Sequence, residues 1–171
     1  MGKRSDFVRK PRDFYPTPFQ AVVPLAEQFK GEFTFAEPCA GDGQLCRHLE
    51  YFGGVCMWAS DIFPKGDSII EKDFKEVEVE EAEYIITNPP WDRKILHPLI
   101  EHFSLQRPTW LLFDADWVHT KQSVPYIKYL HKIVSVGRIK WFGNMTGKDN
   151  CAWHLFDKKS SQTTEFFGRS L

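Results

Sequence analysis

Apolar residues along this chain alternate between a spacing typical of strands and one typical of helices. Short runs rich in β-branched and aromatic residues predict seven strands, at residues 33–36, 55–60, 68–70, 84–87, 109–114, 134–142 and 151–156. Apolar positions three or four residues apart predict helices at residues 18–30, 45–52, 93–103 and 124–132. The acidic residues 75–83 are expected to form a solvated loop or helix.

This alternation predicts an α/β fold, a mostly parallel sheet with helices on both faces. Thr17 is placed to cap the first helix and Pro18 to begin it. The last two strands are separated by the turn-rich residues 143–150 and predict an antiparallel hairpin.

Length and composition favour one globular domain. The chain has 171 residues, of which 42% are hydrophobic and 26% charged. No apolar run approaches the ~18 residues of a membrane span, and none near the start resembles a signal peptide. The four cysteines contain no C-x-x-C pair and the six histidines form no cluster with ligand spacing, so we expect reduced thiols, no metal and a cytoplasmic protein.

Charge is nearly balanced overall but uneven along the chain. The net charge is −1, yet residues 1–13 carry five Lys or Arg against two Asp. Residues 71–83 carry seven acids against two Lys, and residues 118–171 carry nine Lys or Arg against three acids. A polyanion could therefore dock at one end of the molecule, and the alternative is that these stretches are ordinary solvated faces. Residues 1–12 are expected to be a flexible basic arm, followed by a single domain at 13–171.

Four unusual features follow predicted strands directly. They are the glycine loop at residues 40–43, Asp61, Asp73 and the sequence Asn-Pro-Pro-Trp at residues 88–91, here called the Asn-Pro-Pro-Trp corner. The carboxyl ends of parallel strands share one edge, where ligands bind in such sheets. We therefore expect these features to form one site.

The glycine loop allows a sharp turn and a close approach to a ligand. It lacks the third glycine of a dinucleotide fingerprint and the Gly-Lys-Ser/Thr of a phosphate loop. Asp61 is placed to accept both hydroxyls of a ribose, and the alternative is a helix-cap or turn aspartate.

The Asn-Pro-Pro-Trp corner is suited to an exocyclic amine. Two prolines fix φ and leave their carbonyls as acceptors without neighbouring donors. The asparagine oxygen can accept one N–H of the amine and a proline carbonyl the other, while Trp91 offers a face to the attached ring. The alternative is a proline-rich strand exit with a core tryptophan.

Residues 37–43 (Glu-Pro-Cys-Ala-Gly-Asp-Gly) followed by the corner resemble motifs I and IV of S-adenosylmethionine-dependent amino methyltransferases. Residues 13–18 (Asp-Phe-Tyr-Pro-Thr-Pro) resemble the segment that precedes motif I in these enzymes. The combination most resembles the small DNA N6-adenine methyltransferases of phages and prophages. The resemblance implies a Rossmann-like class I fold, a seven-stranded, mostly parallel sheet ending in an antiparallel hairpin.

The same resemblance implies the roles of individual residues. Thr17 and Pro18 would line the methionine moiety of the cofactor, and Glu37 would meet its ammonium. Asp61 would hold the ribose, and Asp73 would accept from the adenine amine. The full set of cofactor residues is Tyr15, Thr17, Pro18, Glu37, Pro38, Ala40, Gly41, Gly43, Asp61, Asp73 and Phe74. The target amine would be held by Asn88, Pro89, Pro90 and Trp91.

The resemblance also implies a substrate, N6 of adenine in DNA, and a cytoplasmic site of action in a bacterial or phage-infected cell. N4-cytosine enzymes more often have Ser where Asn88 stands. Ribosomal-RNA guanine-N2 or adenine-N6 methylation stays open, as does a catalytically silent binding subunit. A C5-cytosine enzyme is excluded because its nucleophilic cysteine is missing after the fourth motif, and a protein-glutamine enzyme would carry an additional helical domain.

We expect residues 13–171 to form the catalytic domain alone, without a separate target-recognition domain. The basic arm, the loop after Trp91 and residues 143–150 would have to recognise nucleic acid. Oligomeric state stays open, with a monomer plausible.

Overall fold

The computed structural model describes residues 14–142 and 145–169. The basic arm predicted at residues 1–12 lies outside them. The helices are α1 (Phe19–Ala26), α2 (Gln44–Tyr51), α3 (Arg93–Ser104) and α4 (Val124–Ile127). The strands are β1 (Phe33–Glu37), β2 (Gly54–Asp61), β3 (Ile70–Glu71), β4 (Tyr84–Thr87), β5 (Thr109–Asp114), β6 (Leu130–Gly137), β7 (Lys140–Phe142), β8 (Met145–Thr146), β9 (Cys151–Phe156) and β10 (Glu165–Phe167).

Eight strands form one sheet in the order β10-β6-β9-β5-β4-β1-β2-β3. Strand β9 runs antiparallel to β5 and β6, and every other neighbouring pair is parallel. The predicted fold class and its terminal antiparallel pair are thus confirmed. The strand count of seven is corrected to eight, because β10 adds to the edge beside β6. Its three residues are too few to show a periodic pattern.

Neighbouring residues of the central strands pack on opposite faces of the sheet. Phe35 and Ile86 belong to a buried cluster with α1 and α2, whereas Ala36 and Ile85 belong to a second cluster with α3. A strand that is buried on both faces has no polar alternation, which explains the continuous apolar runs in the sequence.

The chain after β5 differs from the sequence prediction. The helix expected at 124–132 is only α4, four residues long, because Leu130 already pairs with Phe156 in the sheet. The strand expected at 134–142 is split at Gly137, whose φ of 82° turns the chain. Strand β7 leaves the main sheet and pairs with β8 in a two-stranded ribbon.

The acidic stretch is a loop that begins with a 3-10 turn at Phe74–Glu76. Its solvated character holds for the glutamates but not for Val77, Val79 and Ala82, which are buried in the α3 cluster. Thr17 does not cap α1, whose N-cap is Pro18 and has no side-chain hydrogen bond. The Thr17 hydroxyl instead accepts a hydrogen bond from the side chain of Asn88.

Candidate active site

A cavity of about 630 Å³ lies where β1, β2 and β4 end. Most of the predicted site residues line it, namely Tyr15, Thr17, Glu37, Pro38, Ala40, Gly41, Asp61, Asp73, Phe74, Asn88 and Pro90. Pro18, Gly43, Pro89 and Trp91 are not among the lining residues. The carboxyl ends of these parallel strands therefore bring most of the predicted site residues together around one cavity.

Gly41 and Gly43 give the glycine loop its shape. Their φ angles are 55° and 78°, a left-handed region that side chains disfavour. A Cβ on Gly41 would come within 2.8 Å of the Phe14 ring, so this position also excludes a side chain by contact. Gly43 is the N-cap of α2 and aligns that helix behind the loop.

Asp61 ties the end of β2 to this loop. Its Oδ2 accepts from the backbone N–H of Gly41 at 2.8 Å, and its Oδ1 accepts from Phe63 at 2.8 Å. Each carboxylate oxygen can accept a second hydrogen bond, and the residue lines the cavity. The turn-aspartate role and a ribose-binding role are therefore compatible in one side chain.

Glu37 is a buried carboxyl at the cavity wall, with no exposed surface. Its Oε1 accepts weakly from the Cys39 N–H at 3.4 Å, while Oε2 has no hydrogen-bond partner among the described residues. Burial raises the pKa of Glu37 well above its ordinary value. The Thr87 hydroxyl and the Cys39 N–H oppose this rise only in part. A cationic ligand group such as an ammonium would stabilise the ionised form of this buried carboxyl further.

The Asn-Pro-Pro-Trp corner is held by the segment before α1. The Asn88 amide donates to the Tyr15 carbonyl and to the Thr17 hydroxyl, both at 3.2 Å. Both amide hydrogens are thus used, which orients the amide and leaves its oxygen as the acceptor. Trp91 shares its indole N–H between two acceptors, the carbonyl oxygen of Leu112 at 3.2 Å and Asn88 Oδ1 at 3.4 Å.

Trp141 does not line the cavity itself, but it contacts two predicted site residues, and sequence reasoning missed it. Its ring packs edge-to-face against Trp91, with centroids 5.9 Å apart, and against Tyr15 at 6.0 Å. The residue reaches this place because β7 leaves the main sheet, and no sequence signal indicated that departure. Further lining residues outside the prediction include Phe14, Cys39, Ile62, Phe63, Lys65 and Ile95.

Asp73 and Phe74 also line the cavity. The Asp73 carboxylate accepts from the Lys75 N–H at 3.0 Å and so caps the 3-10 turn. Phe74 packs against His102 and Phe103 of α3.

Within residues 14–142 and 145–169, no group of three or more His, Cys, Asp or Glu could hold a metal ion. The described helices are also too short or too polar to cross a bilayer.

The strand order and the site at the carboxyl edge define the class I methyltransferase fold. A scan against protein-family models and a search of curated proteins gave no match to this sequence. Solved structures do match. A proposed RNA methyltransferase from Pyrococcus horikoshii is 15% identical, with a TM-score of 0.59 and 94% of each chain covered.

Two further solved structures are similar in fold. A proposed class I S-adenosylmethionine-dependent methyltransferase from Listeria monocytogenes is 10% identical, with a TM-score of 0.57 over 96% of this chain and 67% of that one. A type I restriction-modification methyltransferase subunit from Streptococcus thermophilus is 9% identical, with a TM-score of 0.55 over 87% of this chain and 45% of that one. At these identities the shared property is the fold.

Proposed function

We propose that this chain transfers a methyl group from S-adenosylmethionine to an exocyclic amine of a nucleic-acid base, namely N6 of adenine in DNA. The observation that carries the proposal is the oriented amide of Asn88. Its two hydrogens are committed to Tyr15 and Thr17. Its oxygen accepts the longer branch of the Trp91 N–H and keeps a second lone pair for an amine that enters the cavity.

The residues around the cavity fit the cofactor. Glu37 offers a buried carboxyl for the ammonium of the methionine moiety, and Thr17 also lines the cavity. Asp61 retains acceptor capacity for ribose hydroxyls, and Phe74 can pack beside an adenine ring. When bound, S-adenosylmethionine supplies an electrophilic methyl group on a sulfonium.

The protein's part in the reaction is orientation. Asn88 accepts one N–H of the target amine and a proline carbonyl of the corner accepts the other, which keeps electron density on the nitrogen. Holding the amine in line with the methyl group can account for several kcal/mol of the barrier. No covalent nucleophile is needed, and the proton leaves to solvent after transfer.

Adenine in DNA is favoured over the other amines by the asparagine at the first position of the corner and by the family that the motifs resemble. The fold neighbours are named for both an RNA methyltransferase and a restriction-modification subunit, so RNA guanine or adenine is the second outcome to test.

Isotopically labelled S-adenosylmethionine, incubated separately with DNA and RNA, tests this function by nucleoside mass spectrometry. We expect labelled N6-methyladenine in DNA. Methylguanine in RNA without methyladenine in DNA would replace this function by the RNA alternative. Cofactor binding without any methylated nucleoside would favour the silent binding subunit.

Two variants separate transfer from cofactor binding. Asn88→Ala removes the acceptor, so transfer falls by at least about 100-fold while cofactor affinity measured by calorimetry stays within a few-fold. Asp61→Ala removes a charged acceptor worth ~1.5–3 kcal/mol and weakens cofactor binding by about 10- to 100-fold. The exposed Gln162→Ala and Asp67→Ala are matched controls that keep both properties. Full turnover by Asn88→Ala would refute the mechanism.

A further inference from the structure

A second, shallower cavity of about 380 Å³ adjoins the site. Its lining residues are Arg93, Lys94, His97, Gln122, Pro125 and Tyr126, here called the basic notch. Lys94 lines both cavities, so the notch begins beside the Asn-Pro-Pro-Trp corner. No carboxylate belongs to the lining residues, whereas three of the six side chains are basic types.

Arg93 gives the notch a rigid wall. Its Nη2 pairs with the Asp114 carboxylate at the end of β5, at 2.9 Å, and both side chains are 27% exposed. The charges of Arg93 and Asp114 compensate each other, and the pair holds the first residue of α3 against the sheet. Lys94, the next residue, is exposed and is therefore left as the cation of the notch without an ion pair among the described residues.

His97 is prepared as a hydrogen-bond donor. The fully buried Trp117 donates its indole N–H to His97 Nε2 at 3.0 Å, so a neutral His97 must carry its proton on Nδ1. Burial, followed by the charge of Arg93, lowers the pKa of His97 and outweighs the opposite effect of Glu101. Tyr126 packs against the imidazole with centroids 4.8 Å apart and fixes the ring.

We propose that the basic notch binds a backbone phosphate of the nucleic acid next to the target nucleotide. Lys94 supplies the point charge, and His97 Nδ1 and the Gln122 amide supply neutral hydrogen bonds. Such donors match phosphate oxygens, whose contacts fix the register of a strand and carry no sequence information. The neighbouring carboxylates are already engaged, Asp114 by Arg93 and Glu101 by Tyr126. This inference rests on the proposed function, because a base in the first cavity brings its phosphate to the adjoining one.

Binding of a single-stranded, adenine-containing DNA oligonucleotide, measured by fluorescence anisotropy across a salt series, tests the notch. Lys94→Ala should weaken binding and lower the slope of log K against log salt by about 0.7, the value for one phosphate on a single strand. Lys94→Arg should keep the slope. Gln122→Glu, which adds a carboxylate to the notch, should also weaken binding.

The phosphate that the notch binds can be located with oligonucleotides that carry one uncharged methylphosphonate linkage beside the adenine. For the wild type, one of these linkages should reduce the slope of log K against log salt by about 0.7, as Lys94→Ala does. The slope for Lys94→Ala should fall no further on it, because a single interaction cannot be removed twice. Lys30→Ala and Gln162→Glu, exposed positions at the opposite edge of the sheet, are matched controls.

The outcomes distinguish this proposal from the proposed function. An unchanged slope in Lys94→Ala, with wild-type methylation intact, would overturn the phosphate site alone. A reduced slope without any methylated product would keep the phosphate site and overturn the methyl transfer. The phosphate site would also be overturned if the reductions in slope caused by Lys94→Ala and by a methylphosphonate added up at every linkage tested. Lys94 would then attract the whole oligonucleotide and would bind no particular phosphate.

Discussion

Thr17 shows how a residue typical of one local role can serve a tertiary one. Its position before a proline-led helix predicted an N-cap, but its hydroxyl accepts from Asn88 at 3.2 Å. The neighbouring Pro18 occupies the N-cap position instead. Because Asn88 lies 71 residues further along the chain, this hydrogen bond joins the segment before α1 to the end of β4.

His154 is a second residue whose surroundings outweigh its type. It has no exposed surface, it stacks on Phe113 with centroids 3.9 Å apart, and neither ring nitrogen has a partner among the described residues. Burial lowers the pKa of His154 to about 3. The imidazole therefore acts as a neutral aromatic spacer in the α3 cluster.

This burial predicts a loss of stability in mild acid. The unfolded chain takes up a proton at His154 below about pH 6.5, whereas the folded chain does not until about pH 3. The free energy of unfolding should therefore fall through that window by up to about 1.4 kcal/mol per pH unit. Urea unfolding at pH 7 and pH 5 should show a drop about 2 kcal/mol larger in the wild type than in His154→Phe.

The exposed His119→Phe is the control for this measurement, and it should keep the wild-type pH dependence. Equal drops in the wild type and in His154→Phe would show that His154 is accessible to protons in the folded state.

At the scale of elements, α1 depends on the sheet for its stability. It has eight residues and contains Pro24, which lacks an N–H for the helical hydrogen bond. A helix of this length is marginal in water by itself. Its support comes from the buried Ala21, Val22 and Leu25, and from Trp153 of β9, whose indole N–H donates to the Ala21 carbonyl at 2.7 Å.

Trp153→Phe tests this tie between α1 and β9. It removes the hydrogen bond and leaves the Ala21 carbonyl without that donor, so its cost should exceed that of volume loss alone. Trp110→Phe is a matched control, because the Trp110 indole N–H is buried without a partner among the described residues. In urea unfolding, Trp153→Phe should be less stable than Trp110→Phe by about 1–3 kcal/mol. Equal stabilities would mean that the hydrogen bond adds nothing to packing.

At the scale of the whole molecule, the net charge of −1 gives no general attraction to a polyanion. Attraction must come from local groups such as the basic notch and the N-terminal arm. The arm precedes Phe14, which lies at the cavity wall with the Lys65 ammonium 4.6 Å from its ring centroid. The basic residues of the arm are Lys3, Arg4, Arg9, Lys10 and Arg12.

Deletion of residues 2–12 should lower the affinity for duplex DNA and reduce the salt slope by about 0.9 for each phosphate that the arm neutralises. Cofactor affinity should hardly change, because the predicted cofactor residues nearest to the arm, Tyr15, Thr17 and Pro18, remain in the chain. Anisotropy measures the first property and calorimetry the second. An unchanged salt slope would show that the arm does not bind DNA phosphates, and weaker cofactor binding would show that it supports the cavity.

The sequence alone determined the fold class, most strands and the clustering of the glycine loop, Asp61 and the corner at one edge. These follow from local patterns, since apolar spacing sets the elements and parallel strands place their carboxyl ends together. The resemblance of the motifs also predicted which residues would hold the target amine and which would hold the cofactor. Those residue roles stay predictions until the variants above are measured.

Only the tertiary structure decided where the chain after β5 goes. Leu130 pairs in the sheet where a helix was expected, and β7 departs to bring Trp141 against Trp91. It also decided that Trp117 fixes the His97 ring and that Thr17 holds Asn88. Each of these depends on interactions between residues far apart in the chain, and such interactions leave no period or motif in the local sequence.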